Sequence, residues 1–256
     1  MEKLKSEGTC LFCQKAFSMS TITRHLNTHL KKLDTPQMNE KSYHLKIERN
    51  PKYGKDNYFL NLLVSDKAKL GDIDDYLRSI WLECCGHMSS FTDSETAKNA
   101  RKNPFSFDLL SNKSFDQDYG KLDMTKKVLK TLYDGQKIIY EYDFGTTTSL
   151  LITVASVLPI KSTEKITLLS RNEPLEIFCD ICKIEPATEI CTIHIYDEGD
   201  SMFCKKCAKK HAKTCEDFVD YAAATVVNSP RMGECAYEGG SIDCERDGVF
   251  QKNNNQ

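Results

Sequence analysis

Tyr58-Phe-Leu-Asn-Leu-Leu-Val64 and, after a short polar break, Leu70-Gly-Asp-Ile-Asp-Asp-Tyr-Leu-Arg-Ser-Ile-Trp-Leu-Glu-Cys84 decide how this chain folds. The first is a nearly unbroken apolar run of strand length. The second places Ile73, Leu77, Ile80, Trp81 and Cys84 at helical spacing, the apolar stripe of an amphipathic helix. Asp72, Asp74 and Asp75 fall in its first turn, where the helix dipole favours negative charge, and Gly86 is a natural stop. Further on, Lys137–Phe144 and Ser149–Leu158 are rich in β-branched and aromatic residues and flank Gly145-Thr-Thr-Thr, the pattern of a hairpin. Lys165–Leu169 adds another strand. A strand, a helix and then a run of strands imply an α+β body, an antiparallel sheet with helices packed on a face.

That body is the cysteine-poor part of a cysteine-rich chain. Of 12 Cys in 256 residues, only the adjacent Cys84 and Cys85 fall between Cys13 and Cys179. The chain therefore divides into a Cys/His head (1–33), a polar linker (34–42), the body (43–172), a Cys-rich module (175–244) and a disordered tail (245–256). The expected architecture is the α+β body flanked by small zinc-binding modules at both ends. With 35 Lys plus Arg against 37 Asp plus Glu, the net charge of −2 excludes a globally basic nucleic-acid binder but not a local basic patch. No run approaches the roughly 18 apolar residues of a membrane span, so no membrane partner is expected. The opening Met-Glu-Lys-Leu-Lys-Ser-Glu-Gly carries no apolar signal core, so a location in the reducing cytoplasm is expected. There, Cys-x-x-Cys pairs usually mean metal.

The head carries Cys10-x2-Cys13-x11-His25-x3-His29, two thiolates and two imidazoles at the spacing of a tetrahedral zinc site. Both His lie on one face of a helix expected over Ser20–Leu30, and Phe17 and Ile22 supply a small apolar core. This resembles the C2H2 zinc-finger family, with a loop one residue shorter than usual before His25. The resemblance implies that Ser18, Thr21 and Arg24 occupy base-contacting positions. The head is also locally basic, with Lys15, Lys31 and Lys32 as candidate phosphate contacts. One finger reads only about 3 base pairs, so protein contact or a structural cap is an equal alternative.

The rear carries Cys179-x2-Cys182-x21-Cys204-x2-Cys207, the form of a zinc-ribbon or treble-clef site, with a strand expected over Ile190–Tyr196. His211, Cys215 and Cys235, with Cys191 as fourth ligand, offer a third zinc site; the alternative is buried thiols and a surface His. Lys205, Lys206, Lys209, Lys210 and Lys213 crowd one short helix, either a phosphate-binding cluster or a solvated face. Cys84-Cys85-Gly86-His87 reads as a buried helix end with Cys as small apolar filler, metal ligation being the lesser alternative.

On Tyr58–Gly86 and Tyr140-Glu-Tyr-Asp-Phe-Gly145, residues 43–170 resemble the plasmid pRiA4b open-reading-frame-three-like family, and Asn228-Ser-Pro-Arg231 followed by Cys235 resembles one branch of it. The resemblance implies a compact α+β domain of ill-defined role. Strand alternation puts Tyr140, Tyr142 and Phe144 on one face and Glu141 and Asp143 on the other. The two carboxylates are candidates for a hydrolytic enzyme, although a solvated or Lys-paired sheet face explains them as well. No catalytic constellation stands out. The expectation is a non-catalytic zinc protein with two Zn2+ sites and room for a third. Its partner is DNA or RNA, with a protein-interaction adaptor as alternative.

Overall fold

The computed structural model describes residues 6–33, 39–54, 57–102, 120–196 and 199–250. At the front, β1 (Glu7–Thr9) and β2 (Ala16–Ser18) form a hairpin followed by α1 (Met19–Leu30). The body contains β3 (Ser42–Arg49), β4 (Phe59–Ser65), α2 (Leu70–Leu77), β5 (Ser89–Asp93), α3 (Ser94–Lys102), α4 (Val128–Thr131), β6 (Lys137–Tyr142), β7 (Thr148–Leu158) and β8 (Ile166–Arg171). Its six strands form one fully antiparallel sheet in the order β5-β6-β7-β3-β4-β8. The α+β expectation holds.

The apolar run of β4 is continuous because both of its faces are covered. Leu60, Leu62 and Val64 join the main core with Ile73, Leu77, Ile80 and Trp81 from the α2 side. Phe59 and Leu63 point the other way and pack with Ile22, Leu26 and Leu30 of α1. The finger helix is thus the second covering layer of the sheet, rather than a bead on a linker. A polar seam crosses the same interface. His44, fully buried, lies 2.7 Å from Asn27 Oδ1 and 2.9 Å from Asn61 Oδ1, and Thr23 donates to Asn61. A neutral imidazole donates from one nitrogen only, so one of the two amides presents its NH2 to the ring.

Several expectations shift. The helix over Leu70–Cys84 ends as α2 at Leu77 and widens into a π-type turn over Arg78–Leu82. Glu83 N donates to Arg78 O, and the Arg78 guanidinium reaches Asp74, Glu83 and the carbonyl of His87. Cys84 and Cys85 are therefore released from the helix. β6 stops at Tyr142, because Asp143 adopts a left-handed φ of 64° that an Asp tolerates in a turn. Phe144 is consequently exposed and does not share the buried face of Tyr140 and Tyr142. In the expected 34–42 linker, residues 34–38 lie outside the described residues and Ser42 already belongs to β3.

The expected 245–256 disordered tail is likewise revised. Residues 244–246 form a 3-10 turn, and Asp247 pairs with the buried Arg171, which also binds Asp243 and the carbonyl of Asn228. Residues 251–256 lie outside the described residues. The rear module consists of β9 (Glu189–Cys191), β10 (Met202–Phe203), α5 (Lys205–His211) and β11 (Ala223–Thr225), with strand order β10-β9-β11. The strand expected over Ile190–Tyr196 ends at Cys191, and a turn follows in which His194 N donates to Cys191 O. Among the described residues, no helix is long and apolar enough to cross a membrane.

Candidate metal centres

The fold brings Cys and His side chains together in four groups, each with its ligand atoms within 4.8 Å of one another and each able to hold a metal ion. Metal–sulfur and metal–nitrogen bonds of zinc imply tetrahedral edges of about 3.3–3.8 Å between ligand atoms. Several contacts fall close to that range.

The front group is Cys10, Cys13, His25 and His29, as the sequence implies. The loop that carries its thiols turns back on itself: Cys10 N donates to Lys15 O, and Gln14, at φ 56°, donates to Cys10 O. The helical spacing of the two His brings both to that loop. Cys13 Sγ lies 3.3 Å from His25 Nε2, which lies 3.1 Å from His29 Nε2. Phe17 stacks on His25 and fixes its ring. Burial, with His29 and Lys15 beside it, lowers the His25 pKa and keeps the imidazole neutral, the state that ligates.

Cys179, Cys182, Cys204 and Cys207 form the first rear group. Its leading loop repeats the front geometry, with Lys183 at φ 55° donating to Cys179 O. Cys204 caps α5 and Cys207 sits one turn in, so the helix start delivers two thiols to one point. Backbone N–H groups of Glu185 and Ile184 draw the Cys182 thiol down to about 6. Burial, and hydrogen bonds with Cys179 and Cys204, push Cys207 up to about 12. A knot of thiols resists ionising together, and a divalent cation offsets that charge.

The second rear group is Cys191, His194, His211 and Cys215. It keeps three of the four residues expected for a third site and takes His194 in place of Cys235. His194 Nδ1 lies 3.1 Å from Cys191 Sγ. His211 Nε2 is buried without a hydrogen-bond partner among the described residues, which leaves its lone pair free to ligate a metal. In chain order the ligand pairs of the two rear groups alternate, so each group clips together segments that the other separates. The signal for His194 is the Cys191-x2-His194 spacing, masked when Ile190–Tyr196 is read as a strand, in which residues three apart point to opposite faces.

The fourth group, Cys84, Cys85, His87 and Cys235, revises the reading of Cys84–His87 as a buried helix end. Cys85 and Cys235 are exposed, so they fill no core. Sequence spacing could not have found Cys235, which reaches Cys85 across 150 residues.

The expected nucleic-acid contacts are unevenly placed. Lys205, Lys206, Lys209, Lys210 and Lys213 are all exposed. Lys15, Arg24, Lys31 and Lys32 are exposed as well, whereas Ser18 and Thr21 are half-buried and hydrogen-bonded to each other. Asp143 is held by Arg231 at 2.7 Å, and this contact, with the backbone of Gly145 and the Thr146 hydroxyl, keeps its carboxyl far below the usual range. Glu141 is half-buried on β6 and faces Ser90 and Ser149 in the sheet register.

No family model matches the chain, and no curated protein matches it. Among solved structures it is similar to a protein of unknown function, MM3350 from Methanosarcina mazei Go1. That similarity has 17% identity over 51% of this chain and 67% of the other, with a TM-score of 0.36.

Proposed function

We propose that the protein is a non-catalytic, zinc-braced scaffold that binds nucleic acid through its phosphate backbone. The observation that carries this reading is the α5 region. Its five lysines, four on the helix and Lys213 just beyond it, are exposed, and none is ion-paired with a described carboxylate; the ends of the helix are tied into two candidate metal groups. A rigid row of ammonium groups suits a polyanion, and displacement of condensed counterions supplies the affinity. The front finger fits a supporting part. One flank of α1 is buried against the sheet and its Ser18 and Thr21 hydroxyls are internally satisfied, which leaves Arg24, Lys31 and Lys32 to contribute charge rather than base reading. The engagement of Asp143 by Arg231 argues against a free acid–base carboxylate at the end of β6.

The test is fluorescence anisotropy of zinc-loaded protein with labelled DNA and RNA oligonucleotides across a salt series. Binding should weaken steeply with salt. The K205A/K206A/K209A/K210A variant should flatten the log–log slope by about 0.7–0.9 for each phosphate it no longer neutralises. Absence of binding at low salt overturns the proposal. A second reading, a protein partner, rests on Val219 and Tyr221, which stand exposed just beyond Cys215 at 63% and 70%. It predicts a complex that survives high salt and disappears in V219S/Y221S.

A further inference from the structure

The group at Cys84, Cys85, His87 and Cys235 differs from the other three in ways that bear on what it does. Each of the others contains a fully buried cysteine: Cys10, Cys179 and Cys191 are all 0% exposed. Here two of the three thiols face solvent. Each of the others lies within one small module, whereas this group joins the loop after the α2 helical stretch to a segment near the end of the chain. Its geometry is nonetheless that of a ligand set. Cys85 Sγ and Cys235 Sγ are 3.6 Å apart, and His87 Nε2 lies 3.3 Å from Cys235 Sγ.

The backbone is arranged to present these atoms. Gly86 takes φ 69° between Cys85 and His87, which folds both onto one side. Cys235 and Ala236 are consecutive non-glycine residues in the left-handed region, at φ 48° and 55°, an uncommon conformation that surrounding structure must hold in place. The anchors are visible. Ser229 Oγ donates to Trp81 O, and Arg231 binds Thr146 O, Thr148 Oγ1 and Asp143. Gly240 passes so close to Ser79 and Ile80 that an added Cβ would lie 2.5 Å from the Ile80 carbonyl oxygen.

The surroundings suit a metal–thiolate complex. Three thiolates around a divalent cation carry a net negative charge. Arg231, whose side chain is fully buried, places its Nη2 3.7 Å from Cys84 Sγ, and the Tyr142 hydroxyl lies 3.9 Å from the same sulfur. Asp143 Oδ2 stands 3.7 Å from His87 Nε2, and its charge is taken up by Arg231 at 2.7 Å.

We propose that Cys84, Cys85, His87 and Cys235 form a solvent-facing, exchangeable Cys3His site for Zn2+ or a similarly thiophilic divalent cation, which fastens the C-terminal segment onto the body. Because the segment is also held by Arg171 and Arg231, loss of this metal frees the residues around Cys235 without unfolding the sheet. The proposal is independent of nucleic-acid binding.

The experiment uses the full chain, saturated with Zn2+ under a non-thiol reductant and challenged with a mild chromogenic chelator. One equivalent should leave in a fast phase, well separated from slower release by the remaining sites. Cys235→Ser and, separately, Cys85→Ser should each abolish the fast phase and lower the total by one equivalent while melting stays cooperative. Cys244→Ser, which removes an exposed thiol outside all four groups, should leave both unchanged. Absence of a fast phase in the wild type, or its survival at full amplitude in either ligand variant, overturns the site. So does recovery of a Cys85–Cys235 disulfide as the stable form under reductant.

Discussion

His44 occupies the seam between α1 and the sheet, and its burial there sets a pH dependence. Desolvation draws its pKa from 6.5 down to about 4. The native ring therefore stays neutral where an unfolded chain would already be protonated. The stabilisation is complete above about pH 6.5 and is lost as pH falls towards 4, with a full size of about 3 kcal/mol. Acid also releases metals from thiolates, so the informative quantity is a difference between variants. The stability gap between wild type and His44→Gln, read from urea unfolding at matched zinc, should narrow by about that amount between pH 7 and pH 4. A gap that does not change with pH contradicts the assignment. Gly8 tests the same seam sterically. An added Cβ would sit 2.6 Å from the Arg171 carbonyl oxygen and 2.8 Å from the Phe59 ring. Gly8→Ala should cost about 1–3 kcal/mol and weaken docking of the finger, measurable as faster amide exchange in α1.

At the scale of elements, the rear module depends on two interleaved ligand sets. Its core is largely made of Cys179, Cys191, Cys204 and Cys207 with Phe203, Ala208, Phe218 and Ala222, too small a cluster to hold three short strands unaided. Cys191→Ser should therefore loosen the whole module, including the loop at Cys179–Cys182, and not only the ligands of its own group. Hydrogen exchange should rise across 177–226 while the six-stranded sheet keeps its protection. A change confined to residues around Cys191 would contradict the interlocked arrangement.

The elements also mark where sequence reading succeeds. β4, the β6–β7 hairpin and the front and first rear ligand sets follow from local pattern: apolar runs, β-branched content and Cys-x-x-Cys spacing. The features that are not legible arise where distant segments meet. The docking of α1 needs Ile22, Leu26 and Leu30 to meet Phe59, Leu63 and Leu158, and a finger's own small core already accounts for Ile22. The release of Cys84 and Cys85 from the α2 stretch depends on Arg78 reaching Asp74, Glu83 and His87 at once. Sequence order favours near neighbours and so assigns Cys235 to the rear, whereas Ser229 and Arg231 carry it to the body.

For the whole molecule, the front finger and the segment from Asn228 to Asp247 both return to the body sheet. The finger covers the face opposite α2, and the segment from Asn228 to Asp247 is pinned by Arg171 and Arg231, whose guanidinium groups are fully buried against aspartates. Breaking one such pair leaves an uncompensated buried charge. Arg231→Met should cost about 3–5 kcal/mol in unfolding experiments, larger than the effect of any exposed lysine on α5. In the arrangement proposed, metals would brace an already folded centre and fix the modules around it.

Whether all four Cys/His groups hold a metal is decided by the zinc-to-protein ratio. The full chain would be dialysed to equilibrium against buffered Zn2+ at a concentration that saturates all four groups, under a non-thiol reductant, and its metal content measured by elemental analysis. Four occupied groups give four zinc ions per chain. A ratio of three or fewer would contradict that occupancy.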